Sequence, residues 1–137
     1  MTDPRDVPGA LDALVDATVS RYPAIAHDSL IMLVHASTAP RAARLALPAV
    51  PEHLWIATYD TAWSIAAAIT AIYTPLTAAP PPVQGAEWTT EDIAELAATN
   101  GDEHLIKFSE VALESHRRDN ADALPTAARA HQLLTAD

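Results

Sequence analysis

Eleven prolines cut this 137-residue chain, at positions 4, 8, 23, 40, 48, 51, 75, 80, 81, 82 and 125. A proline has no amide hydrogen to give to a sheet ladder or a helix interior, so the stretches between prolines are the natural units of regular structure. Those stretches carry apolar residues at three- and four-residue spacing, and none alternates polar with apolar as a half-buried strand would. Half of the residues are apolar, and much of that mass is alanine, the strongest helix former. The expected fold is all-α: a compact bundle of about six helices with Pro-rich connections, in a single domain over residues 1–137.

Pro8 sits in the first turn of a helix that runs to about Tyr22 on Leu11, Leu14, Val15 and Val19, and Pro23 is expected to end it. A second helix, Ala24 to Ser37, is apolar nearly all round and belongs at the centre. Pro40 opens a short basic helix holding Arg41 and Arg44. Pro51 starts the longest helix, to about Tyr73, with Trp55, Tyr59, Ala62, Trp63, Ala66, Ile69 and Tyr73 on one face. That stretch is about long enough to span a bilayer. Thr58, Asp60, Thr61, Ser64 and Thr70 interrupt it and no basic cluster anchors its ends, so it is expected to be a buried helix. Residues 75–88 form a Pro-rich, extended, exposed connector. Thr89 or Thr90 caps the next helix, Asn100-Gly101 stops it, and Asp102 caps another through about Arg118. Asn120 breaks that one, and Pro125 begins a last helix that runs out at Leu134.

The formal net charge of −10 argues against nucleic acid and anionic membrane surfaces as partners, since both need a basic patch. The nearest approach to one is Arg117-Arg118, flanked by His116 and Asp119. Met1-Thr2-Asp3-Pro4 has no charged-then-apolar signal pattern, and the expectation is a soluble, cytoplasmic protein. With no cysteine there is no disulfide, thiolate metal site or cysteine nucleophile. A Gly-rich phosphate loop, a Gly-x-Ser-x-Gly elbow and His-Glu-x-x-His are all missing. Three residues before the six histidines stand Ala24, Met32, Val50, Gly101, Leu113 and Ala128, so the Glu-x-x-His pattern of carboxylate di-iron bundles is missing too.

Two constellations remain. Asp28 and His35 are two helical turns apart on one side of an apolar helix, where a carboxylate can orient an imidazole; a core histidine with one hydrogen bond is the plainer explanation. His27 is a weaker candidate of the same kind. His104 and Lys107 are one turn apart, and Lys107 is the only lysine. A buried lysine is nucleophilic and can take up carbon dioxide to become an anionic metal ligand. The helical wheel instead puts Lys107 beside the polar face, with Glu103 four residues earlier in the favoured ion-pair orientation. Trp55, Tyr59 and Trp63 read as core or interface, Asp60 is ambiguous, and His53, His116 and His131 are expected to be solvated.

Two segments resemble the C-terminal part of the questin oxidase-like family. They are Val34-His35-Ala36-Ser37-Thr38-Ala39-Pro40, with Leu47-Pro48 leading to Leu54-Trp55, and Gly101-Asp102-Glu103-His104-Leu105-Ile106-Lys107-Phe108-Ser109-Glu110. The similarity covers roughly residues 24–135. It implies an all-helical fold and a subunit or half-domain of a metal-dependent oxygenase that opens the ring of an aromatic polyketide such as an anthraquinone. It further implies a mononuclear non-haem iron, with His35, His104 and Lys107 as metal-site residues and His104 and Lys107 catalytic. Tyr59 and Trp63 would stack on the small aromatic substrate. Family members are much longer, and only their last third is resembled. Further ligands would then come from a protein partner chain or a homo-oligomer, or catalysis has been lost and a helical interaction or scaffold protein is left.

Overall fold

In the computed structural model, which describes residues 2–26, 29–77 and 87–134, six α-helices pack around a shared apolar centre, and the described residues contain no strand. They are α1 (Val7–Ile25), α2 (Leu30–Ala46), α3 (Trp55–Tyr73), α4 (Thr90–Asn100), α5 (Glu103–Arg117) and α6 (Ala123–Leu134). Short 3-10 turns at Pro4–Asp6, Leu47–Ala49 and Glu52–Leu54 join or lead into them. None of the described helices is long and apolar enough to cross a membrane.

The helix ends follow local chemistry where polar caps are present. Thr89 and Asp92 form a reciprocal capping box, with the Asp92 amide donating to Thr89 Oγ1 (3.1 Å) and the Thr89 amide to Asp92 Oδ2 (2.9 Å). Gly101 closes α4 at φ 73°, a left-handed conformation that costs glycine nothing. Asp102 Oδ1 then accepts the amides of His104 (2.8 Å) and Leu105 (3.1 Å) to start α5.

Two proline boundaries expected from sequence are overridden by packing. Pro23 lies inside α1, whose last turn is held by buried Tyr22 and Ile25. Pro40 does not open a new helix: it is a buried residue inside α2, which continues to Ala46. Each ring removes one backbone hydrogen bond, and burial of the neighbouring apolar residues offsets that loss. Most of the 75–88 connector and both Asp28 and His27 lie outside the described residues.

α2 is the central helix, as its all-round apolar character implies, and it packs on α1, α3, α5 and α6. The larger core gathers Tyr22, Leu33, Val34, Ile93, Leu105 and Phe108. A smaller cluster of Val7, Leu11, Leu47 and Ala62, supported by Trp55, Ile56 and Tyr59, attaches α3 to α1 and α2. α3 itself corrects the expectation of a buried helix. Only Ala62 and Ala66 are buried, while Trp63 is 51% exposed, Ile65 44% and Ile72 71%. A helix at the edge of a bundle contacts neighbours on one side, and here the other side is apolar as well.

Candidate functional site

The packing of α2 against α5 brings His35 and His104 together. Their rings meet edge to face with centroids 5.7 Å apart. The His104 side chain is 21% exposed, and its Nδ1 is buried without a hydrogen-bond partner. Asp102 Oδ1 is 3.5 Å from that nitrogen, but it already accepts two cap amides, and that reach is too long for a firm bond. Those cap bonds, the Leu105 amide first, hold the Asp102 carboxyl below its ordinary range.

Lys107 does not join the pair. Its Nζ donates to Glu103 Oε2 at 2.7 Å in an i,i+4 ion pair, and the two side chains are 55% and 68% exposed. The bond to Lys107 is the main cause holding the Glu103 carboxyl below its ordinary value. An exposed ion pair is not the buried setting in which a lysine becomes a nucleophile or takes up carbon dioxide. Two imidazoles remain where an iron site would need a fuller set. Among the described residues no group of three or more His, Asp or Glu side chains could hold a metal ion. The described side chains alone therefore do not supply the ligand set of the mononuclear iron centre that the resemblance implies.

Tyr59 and Trp63 stand on α3, which packs on α2 and α1, whereas His104 is on α5. Tyr59 is half-buried against the smaller cluster, and Trp63 points outward. The wheel places them with the buried alanines, but Trp63 is about 100° beyond Ala62 and clears the core edge.

Two interactions that join α5 to its neighbours lie outside the motifs. Arg41 bridges α2 to α5, with Nε on Glu114 Oε2 (2.9 Å) and its two remaining contacts, to Glu114 Oε1 and Glu110 Oε1, at 2.7 Å. Ser109 Oγ and His131 Nε2 are 2.9 Å apart in the interior. His131 was expected to be solvated, and its 4% exposure corrects that. The signal was present: Leu124, Ala127, Ala128 and His131 share one face at i, i+3, i+4 and i+7. His131 also lines a cavity of about 220 Å³ with Trp88, Leu96 and Ala128.

Burial pushes the His131 imidazole below its ordinary value, with Asp102 acting weakly the other way. Unfolded histidine ionises near pH 6.5. As pH falls below that value the unfolded chain takes up a proton that the folded chain resists, so stability is lost on acidification until the folded group also protonates. Urea unfolding at pH 7.5 and pH 5 is expected to show this loss, and His131→Gln to reduce the difference. An unchanged pH dependence in that variant would contradict it.

On the outer side, α2 and α3 border an open groove of about 410 Å³ lined by Ala39, Ala43, Leu54, Ala57, Ala62 and Ile65 together with Thr58 and Thr61. No protein-family model, curated protein or solved structure matches this chain.

Proposed function

We propose that this chain is a helical interaction module that docks a protein partner on the outward face of α3, stabilising or regulating it without a reaction of its own. One observation carries this. From Trp55 to Tyr73 the only charged residue is Asp60, and Trp63, Ile65 and Ile72 face outward on the same helix. α5 shows what a solvated helix of this chain looks like, with Glu103, Lys107, Glu110, Glu114 and Arg117 along it. Apolar area left in water forgoes about 25 cal/mol per Å² of stabilisation that burial supplies. Together with the exposed small side chains between them, those on α3 make a contiguous exposed patch of the kind that marks an interaction site. The patch is continuous with the groove beside α2.

The test is a photo-crosslinking amino acid at position 65, with position 95 on exposed α4 as control. Irradiation in cells is expected to give a discrete polypeptide adduct from position 65 and none from 95. Absence of any adduct at 65 would overturn the proposal.

A subunit of a metal-dependent oxygenase is a second reading, favoured by the meeting of His35 and His104. The remaining ligands would have to come from a partner chain, and the substrate would be a flat aromatic polyketide. Adding iron(II) without oxygen separates the two readings. The interaction module predicts no change in unfolding midpoint, whereas stabilisation abolished by His104→Ala would favour the oxygenase subunit.

A further inference from the structure

We infer that the partner on α3 is a second copy of this chain, packed antiparallel about a two-fold axis near Ser64; this rests on the docking role proposed for that face. Charge selects the face. Two copies at −10 each repel over most of their surfaces, and α3 is where they can meet with a single carboxylate apiece. Beyond Asp60 the same face offers no charge by which a basic or acidic partner would be chosen.

Shape points the same way. Ala57, Thr61, Ser64, Ala68 and Ala71 are all exposed and recur at four- and three-residue steps, the spacing of a seam along which a second helix lies. Their small side chains permit close approach, and larger ones border them. Ile65 and Ile72, one heptad apart, lie on the flank toward the groove, with Trp63 on the opposite flank. A two-fold axis at Ser64 puts residue i opposite residue 128 − i. Ile72 of one copy then comes level with position 56 of the other, at the mouth of the groove lined by Ala39, Ala43 and Leu54. Trp63 stays on the far flank, about 100° round the helix from Ser64. Each copy thus carries both the projecting side chains and the recess that receives them, as a two-fold interface requires.

Asp60 fixes the direction. Parallel helices in register would set the two Asp60 carboxylates side by side. The antiparallel arrangement separates them by eight residues, about 12 Å along the axis, roughly one and a half screening lengths at physiological salt. The outward face runs the 19-residue length of α3, and the α2 edge of the groove widens it toward the share of about 800 Å² per partner in a standard interface.

Sedimentation equilibrium of the full chain at about 100 μM, far above the micromolar weak end for interfaces of standard area, is the first arm. The expected mass is twice the 14.6 kDa of one chain. Ala68→Glu, which sets a charge in the seam opposite Asp60 of the other copy, is expected to halve it while leaving the helical circular dichroism intact. The second arm uses the lack of cysteine. Ser64→Cys places a thiol from each copy at the axis and is expected to form an intermolecular disulfide on mild oxidation, whereas Glu95→Cys is not. A 14.6 kDa species at that concentration, or equal crosslinking of both cysteine variants, overturns the inference. If the photo-adduct at position 65 persists with another polypeptide, the docking role stands and only the second copy is excluded.

Discussion

Phe108→Ala is expected to lower the unfolding free energy by about 3–5 kcal/mol, the largest effect of any single truncation considered for this chain. Phe108 is the only phenylalanine and is fully enclosed. Its ring lies 4.6 Å from that of Tyr22, tilted by 39°, and so joins α5 to α1 at the middle of the larger core. Removing it forfeits the transfer energy of the ring, leaves a cavity the surrounding helices only partly close, and ends an aromatic contact worth about 1 kcal/mol beyond its area. The same burial pushes the Tyr22 hydroxyl above its ordinary ionisation range. Domains of this size have about 5–15 kcal/mol in total, so the variant is expected to be marginal at 37 °C. Urea titration checks this, with Phe108→Leu expected to lose less than half as much. A loss below about 1 kcal/mol for the alanine variant would mean that the core is not closed around this ring.

Asp16→Ala is expected to cost about 2–3 kcal/mol, on the scale of hydrogen bonds to charged groups. The Asp16 carboxylate accepts from Ser115 Oγ (2.6 Å) and from Arg118 through Nε (3.2 Å) and a terminal nitrogen (2.5 Å). Asn120 completes the junction, its amide nitrogen donating to the Asp16 carbonyl (3.3 Å) and to Ser115 Oγ (2.9 Å). Ser20 Oγ donates to Asn120 Oδ1 at 3.2 Å. These bonds pin α1 to the end of α5, where Asp119 takes a φ of 67°, uncommon for a residue other than glycine. The Asp16 and Arg118 side chains are 27% and 29% exposed, enough shielding for the pair to exceed the near-zero value of an open surface bridge. Urea unfolding of Asp16→Ala and Arg118→Ala, with the double variant, measures the coupling. Strict additivity of the two losses would show that the network contributes nothing as a unit.

Features set by neighbouring residues were legible from the chain. The caps at Thr89, Gly101 and Asp102 are local hydrogen-bond chemistry, and their sites follow from residue type and spacing. The end of the first helix was not, because Tyr22 and Ile25 keep α1 going past Pro23 through contacts distant in sequence. Lys107 shows a local preference prevailing over a motif, since Glu103 one turn away captures the amine at the surface. The meeting of His35 and His104 was implied only by the resemblance, since spacing within each segment says nothing of the packing of α2 on α5 that sets their rings 5.7 Å apart. Hydropathy misplaced α3, because an apolar composition does not say which of a helix's faces a core covers. The Asp16–Arg118 junction joins residues 102 apart, and nothing in either neighbourhood marks it.

Ile65 on α3 and Ile106 on α5 are each 44% exposed in the single chain, so they react alike with a small solvent-borne oxidant if no partner is present. Hydroxyl-radical footprinting in intact cells, read by mass spectrometry at these two isoleucines, is therefore the most direct measurement of whether α3 is a docking face. The expected result is strong protection of Ile65, several-fold below its labelling in a urea-unfolded reference, with Ile106 oxidised freely. Equal labelling of the two, inside cells and in the purified chain, would contradict it.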